Sequence, residues 1–131
     1  SLSRTAPVNI TTWRRVPLGT SGGISALGTL GGLIGAALVG FTAWSATGDG
    51  RLGVVATATG FGGMMFDSLL GATVQAKFFC DACEAPTERR RHHCGKNTRQ
   101  IGGVRWIGND WVNAAATAAA LLAGWLLWRS R

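Results

Sequence analysis

The stretch Gly60-Phe-Gly-Gly-Met-Met-Phe-Asp-Ser-Leu-Leu-Gly-Ala-Thr-Val-Gln75 places one carboxylate, Asp67, inside an apolar segment long enough to cross a membrane. A charge at that depth costs at least ~2.5 kcal/mol on the most lenient scale, so it marks a functional site by default. Gly60, Gly63, Asp67, Gly71 and Gln75 recur at steps of three or four, which puts them on one face of a helix. That face is small and polar. It suits other helices or a polar cavity better than lipid. The plainer alternative is a structural Asp67 paired with a lysine or arginine of another helix.

Two further segments share this character. No charge interrupts Val16 to Gly48, only Asp67 interrupts Leu52 to Ala76, and none occurs from Trp111 to Trp128. A spanning helix needs about 20 apolar residues. The chain of 131 residues is 47% hydrophobic and 15% charged, with a mean hydropathy of +0.20. The expected class is an all-α membrane protein of three Gly/Ala-rich transmembrane helices, over 24–46, 52–77 and 107–128. A polar, basic lead-in with a Gly-rich turn occupies 1–23, and one basic Cys/His loop occupies 78–105. Gly28/Gly32 and Gly31/Gly35 form GxxxG pairs on the first helix, and alanines surround Ala114 and Ala118 on the third. Such surfaces want partners, so further transmembrane helices or other membrane subunits are expected beside the lipid bilayer.

The net charge of +7 does not point to nucleic acid, because the basic residues flank apolar segments. Arg4, Arg14 and Arg15 precede the first span. Lys77, Arg89, Arg90, Arg91, Lys96, Arg99 and Arg105 lie between the second and third, while Arg51, Arg129 and Arg131 fall on the other side. The positive-inside rule then puts the N-terminal segment and the long loop on the cytosolic, stromal or matrix side. The membrane is expected to be organellar (plastid or mitochondrial), an endomembrane or a bacterial inner membrane. Trp13, Trp44, Trp106, Trp111, Trp125 and Trp128 all fall near span ends, as an aromatic belt does. The polar start carries no short apolar core and cleavage site, and Ser1 in place of Met reads as a processed or truncated start.

Four constellations carry chemistry. In Arg14-Arg15-Val-Pro-Leu-Gly19-Thr-Ser-Gly-Gly-Ile-Ser25, a turn of Gly19, Thr20, Ser21, Gly22 and Gly23 is expected to open the first helix, capped by Thr20 or Ser21. Exposed N–H groups and the helix dipole favour an anion there, and Arg15 would clamp phosphate oxygens. An ordinary capped helix start explains the same residues. Asp67 beside Ser68 suits Mg²⁺, which takes hard oxygen ligands and bridges substrate phosphates; Gln75 and Asn113 would add amide contacts. Asn109 and Asn113 share a helix face with Asp110 adjacent, as polar support or simply as caps. Cys80-x-x-Cys83 followed by His92-His93-Cys94 has the content of a zinc site, with His92 and Cys94 the easier pair in the second half. A disulfide within the loop or free thiols are the alternatives.

These motifs, in this order and separation, resemble the DUF92 integral membrane family, which includes transmembrane protein 19 and the plant phytyl-phosphate kinase. The resemblance rests on Pro7-Val-Asn-Ile-Thr-Thr-Trp-Arg-Arg-Val-Pro-Leu-Gly-Thr-Ser-Gly-Gly-Ile-Ser-Ala-Leu-Gly-Thr29, Phe66-Asp-Ser-Leu-Leu-Gly-Ala-Thr-Val-Gln75, the Cys/His loop and the 109–113 helix start. It covers the C-terminal part of the family pattern. The family's upstream helices, with an acidic Asp-Thr-x-Ala-Ser-Glu segment, come before the region matched, and Leu18 stands where the family has proline. The resemblance implies a polytopic membrane protein. For the plant branch it implies transfer of phosphate from a nucleoside triphosphate to an isoprenoid monophosphate, with Asp67 holding Mg²⁺ and Arg15 with the Gly19–Gly23 turn holding phosphate. The alternative is a non-catalytic subunit of a larger membrane complex derived from this family.

Overall fold

The computed structural model describes residues 6–130; Ser1, Arg4 and Arg131 lie outside the described residues. Three helices dominate: α1 (Ala26–Thr47), α2 (Gly50–Thr73) and α3 (Asn109–Arg129). Each is long and apolar enough to cross a membrane. α2 lies between the other two and packs on both. Small residues bring the backbones together. A Cβ on Gly53 would lie 2.9 Å from the Gly40 carbonyl oxygen, and one on Gly40 would run into Thr57 and the Gly53 carbonyl. On another flank of α2, a Cβ on Gly63 would lie 2.9 Å from that of Ala120. Such contacts suit helices whose association in lipid rests on packing rather than on water exclusion. Only 11%, 6% and 11% of the three spans are buried within the chain, so most helix flank is left to lipid or to other helices. Gly32 of the expected pairs is used internally, against Met64, whereas Gly31 and Gly35 face open space.

The helices alternate in direction. Gly48 closes α1 in the left-handed region at φ 72°, donating to Trp44 O at 2.7 Å. Asp49 then caps α2, accepting from the backbone N–H of Arg51 at 2.9 Å and of Leu52 at 3.2 Å. The Arg51 guanidinium crosses to the far end of α3, donating to Leu127 O at 2.8 Å and Ser130 O at 3.3 Å. The start of α2 therefore meets the end of α3. The N-terminal segment and the connection between α2 and α3 share the other end of the bundle.

That end holds two small sheets. β1 (Val8–Asn9) pairs antiparallel with β2 (Gly23–Ile24). Asn9 organises the intervening chain: its Oδ1 accepts from Thr11 N at 3.0 Å, Thr11 Oγ1 at 2.6 Å and Thr12 N at 3.1 Å. The Gly-rich turn thus leads into β2 and not directly into α1. Ser25 caps α1, accepting from Gly28 N at 3.1 Å, so the expectation of a cap at Thr20 or Ser21 is corrected. The pairing of β2 with β1 holds Gly23 and Ile24 extended and defers the helix to Ala26.

The expected Cys/His loop is a three-stranded antiparallel sheet of β3 (Lys77–Cys80), β4 (Ala85–Thr87) and β5 (Arg99–Gly102), in the order β4-β3-β5. Phe78 and Cys80 are buried and alternate with more exposed Lys77 and Phe79, the two-residue period of a strand with one covered face. α2 stops at Thr73 and not at residue 77, because the chain turns into β3 and the Lys77 ammonium donates to the Ala72 carbonyl at 2.8 Å. α3 starts at Asn109 and not at residue 107. Ile107 is tied into a turn, donating to Val104 O at 2.9 Å and accepting from Ala76 N at 2.8 Å.

Two outcomes follow from this arrangement. Gly40→Ala should destabilise the bundle by ~1–3 kcal/mol through overpacking, while Gly31→Ala should cost nothing, since alanine is the better helix former. Unfolding titrations in mixed detergent micelles read the difference, and equal effects would refute the α1–α2 contact. Cysteines introduced at Thr11 and Asn97 in a chain lacking its native cysteines should label from one face of sealed vesicles, and one at Thr47 from the other. Labelling of Thr11→Cys and Asn97→Cys from opposite faces would overturn the topology.

Candidate functional site

The polar face of α2 lines an open groove of about 570 Å³ between α2 and α3. Gly60, Gly63, Met64 and Asp67 form one wall, and Asn113 and Thr117 stand on the other. The small residues make the groove: a side chain at Gly63 would meet Ala120. Asp67 Oδ1 is buried there and has no hydrogen-bond partner. Ser68 is one residue further along the helix, turned away by ~100°, and is not part of the wall. Asn109 and Asp110 are exposed one turn before Asn113 and stay outside the groove. Asp110 sits in the first turn of α3, where a carboxylate complements the helix dipole.

One turn beyond Asp67 the same face receives the Gly-rich turn. Gly22 lies in the left-handed region at φ 77° and packs against Ala72, while a Cβ on Gly71 would lie 3.1 Å from Gly22 N. Glycine is needed on both sides of this contact. Just past the helix end, Gln75 is 2% exposed, and its Nε2 also lacks a hydrogen-bond partner. Among the described residues, Asp67 Oδ1 and Gln75 Nε2 are the two buried side-chain polar atoms in that condition. They flank the seat of the turn on one side of α2.

Hydrogen bonds within the turn use part of its donor set. Thr20 N and Oγ1 both donate to Pro17 O, at 3.2 and 2.8 Å, and Gly23 N donates to Thr20 O at 3.0 Å. Ser21 Oγ donates to Glu88 Oε1 from the neighbouring sheet. Beside this contact a small cavity of about 150 Å³ lies between the turn and the sheet, lined by Gly19, Thr20, Ser21, Lys77, Phe78 and Glu88 among others. Arg15 is exposed and pairs through its backbone with Val8. Glu88 was not legible as a site residue; Pro86-Thr-Glu88 has no spacing that announces it. Thr117 was legible in principle, four residues after Asn113 on the same helix face.

The third feature lies in the sheet. One ligand atom from each of Cys80, Cys83, His92 and Cys94 fits within 4.8 Å of all the others. Cys80 Sγ is 3.7 Å from Cys94 Sγ, and His92 Nδ1 is 3.3 Å from it. No disulfide joins these cysteines. His93 is outside the group and its ring lies 3.8 Å from that of His92. The backbone N–H of Lys96 draws the Cys94 thiol down to about 6, aided by His92 and Cys83. Cys83 is pushed up to about 11, first by its hydrogen bond to Cys94.

A family model described as "Integral membrane protein DUF92" matches residues 1–121. An uncharacterized membrane protein of Methanocaldococcus jannaschii is 41% identical over 76 residues, covering 58% of this chain and 32% of its own length. Protein PGR of Arabidopsis thaliana is 32% identical over 124 residues, covering 86% of this chain and 42% of its own. The chain thus spans about a third to two fifths of the curated relatives it matches. No solved structure matches it.

Proposed function

This chain belongs to the DUF92 family of integral membrane proteins, and from that premise we propose that it carries one wall of a membrane-embedded prenyl-phosphate kinase site, in which phosphate passes from a nucleoside triphosphate to an isoprenoid monophosphate. One observation carries the reading: a carboxylate oxygen of Asp67 is buried without a partner in a groove, on the same helix face that seats the Gly19–Gly23 turn. A buried carboxylate needs compensation, and a cation or proton arriving with substrate supplies it. Asp67, with amide and hydroxyl oxygens of Asn113 and Thr117 across the groove, fits a hard divalent cation that takes few protein ligands and completes its shell with water and phosphate. Mg²⁺ bound there would offset the charge that builds on phosphate oxygens.

The rest falls to the chain's own residues. Arg15 and the turn would hold a phosphate, through a guanidinium and the N–H groups not used within the turn. The basic sheet, with Arg89, Arg90, Arg91, Lys96 and Arg99, raises the local concentration of an anionic nucleotide. The apolar helix flanks accommodate an isoprenoid tail beside the groove. Phosphoryl transfer needs little covalent help from protein, so positioning of these groups is the main demand.

A second reading, a non-catalytic membrane subunit, draws on a different observation. Gly31 and Gly35 face open space on α1, a surface on which another transmembrane helix fits closely.

Asp67→Asn separates the two. In the full-length protein with its native partners, the kinase reading expects prenyl-monophosphate-dependent nucleotide turnover to fall about 100-fold or more, with the fold intact. The subunit reading expects loss of assembly instead, as a buried partner cation loses its counter-charge at a cost of roughly 3–5 kcal/mol. Wild-type inactivity on every prenyl phosphate tried, with complex loss in the variant, would refute the kinase.

A further inference from the structure

We propose that Cys80, Cys83, His92 and Cys94 form a tetrahedral zinc site that staples the β3–β4–β5 sheet and, through it, holds the Gly19–Gly23 turn against α2. All four donors lie within 4.8 Å of one another, and two of their separations match the metal. A tetrahedron with metal–sulfur bonds of ~2.3 Å has sulfur–sulfur edges of ~3.8 Å and sulfur–nitrogen edges of ~3.5 Å. The Cys80–Cys94 and His92–Cys94 separations are 3.7 and 3.3 Å. The four donors come from two tight turns. Cys80 ends β3 and Cys83 follows, with Glu84 next in the left-handed region at φ 49°. His92 and Cys94 sit in the second turn, closed by His92 N donating to Lys96 O at 2.9 Å and followed by Gly95 at φ 80°. In each turn the left-handed residue directly follows the second ligand, which folds the chain back around the same point.

The surroundings suit a thiolate-rich centre. Three thiolates and one imidazole around Zn²⁺ leave one net negative charge. Arg91 wraps the second turn, with Nε donating to Gly95 O at 2.9 Å, and Lys96 adjoins it. Gly95 N donates to His92 O at 2.9 Å, which holds the second turn closed around its two ligands. The donor set is soft, three thiolates and one imidazole, which selects zinc over magnesium or calcium. His93 is displaced from the centre, so its adjacency to Cys94 raises no geometric conflict.

The sheet also needs such a staple. Segments below ~40 residues rarely build enough core to fold alone, and metals are a common remedy. Here the buried residues are few: Phe78, Cys80 and His92, with Ala76 at the entry. The consequence reaches the turn, because β4 runs straight on to Glu88, whose carboxylate accepts from Ser21. This inference does not depend on the kinase reading; it concerns how the sheet is held and not what the groove binds.

The test uses the full chain, purified in detergent without an affinity tag that binds metal. Elemental analysis should find one zinc per chain. Cys80→Ser, Cys83→Ser, Cys94→Ser and His92→Asn should each weaken zinc binding by more than the ~10–100-fold that loss of a supporting hydrogen bond costs, and His93→Asn should leave it unchanged. Because ligand variants risk misfolding, chelator-stripped wild type is titrated with Co²⁺ alone and should develop the visible bands of a tetrahedral thiolate site. Chelation should speed amide exchange in residues 77–102 and in Ser21–Gly23 while sparing the helices. Substoichiometric metal together with no cobalt spectrum overturns the proposal, as does an iron–sulfur cluster at these cysteines. Zinc lost in His93→Asn but kept in His92→Asn overturns the ligand assignment. Unchanged exchange at Ser21–Gly23 on chelation overturns the link to the turn.

Discussion

Backbone contact along α2 is the constraint on which the rest depends. α1 reaches it through Gly40 and Gly53, α3 reaches it through Gly63 and Ala120, and the N-terminal turn reaches it through Gly22 and Gly71. All three contacts require the absence of a side chain. In lipid, apolar side chains gain little by leaving their surroundings, so close approach and dispersion set which helices associate. α2 carries Asp67 midway between its helix contacts and the seat of the turn. The groove therefore results from the packing that holds the bundle together, since the glycines that admit neighbours also leave room beside the carboxylate.

The architecture was largely legible in the sequence because membrane spans obey a simple rule of length and charge. Three apolar segments, broken by no charge but Asp67, specify three helices whatever their neighbours do. The face of Gly60, Gly63 and Asp67 was legible for the same reason: helical periodicity is local. The ends of the helices were not. Ser25 caps α1 because Gly23 and Ile24 pair with Val8 and Asn9, a contact across a long sequence gap that no local pattern announces. The sheet was missed because its strands are two to four residues long, too short for a two-residue period to stand out.

The candidate site divides along the same line. Asp67 and Asn113 were chosen from helical position and meet across one groove. Ser68 lies off the groove wall because neighbouring residues on a helix point ~100° apart. The Gly19–Gly23 turn is placed by Gly22 on α2 and not by a helix of its own. Glu88 enters only because β4 lies beside the turn, a relation visible in three dimensions alone.

Arg51 and Arg129 are the basic residues at the thin end of the described bundle, and both are occupied. Arg51 is spread over the terminal carbonyls of α3, where the helix dipole places about half a negative charge. Arg129 lies over the Trp125 ring at 5.1 Å. Both stay exposed, as do Arg89, Arg90, Arg91, Lys96 and Arg99 at the opposite end. The voltage and lipid charge of a bilayer act on exposed charge, so the molecule carries a lopsided field, in which the cations of the sheet outweigh Arg51 and Arg129.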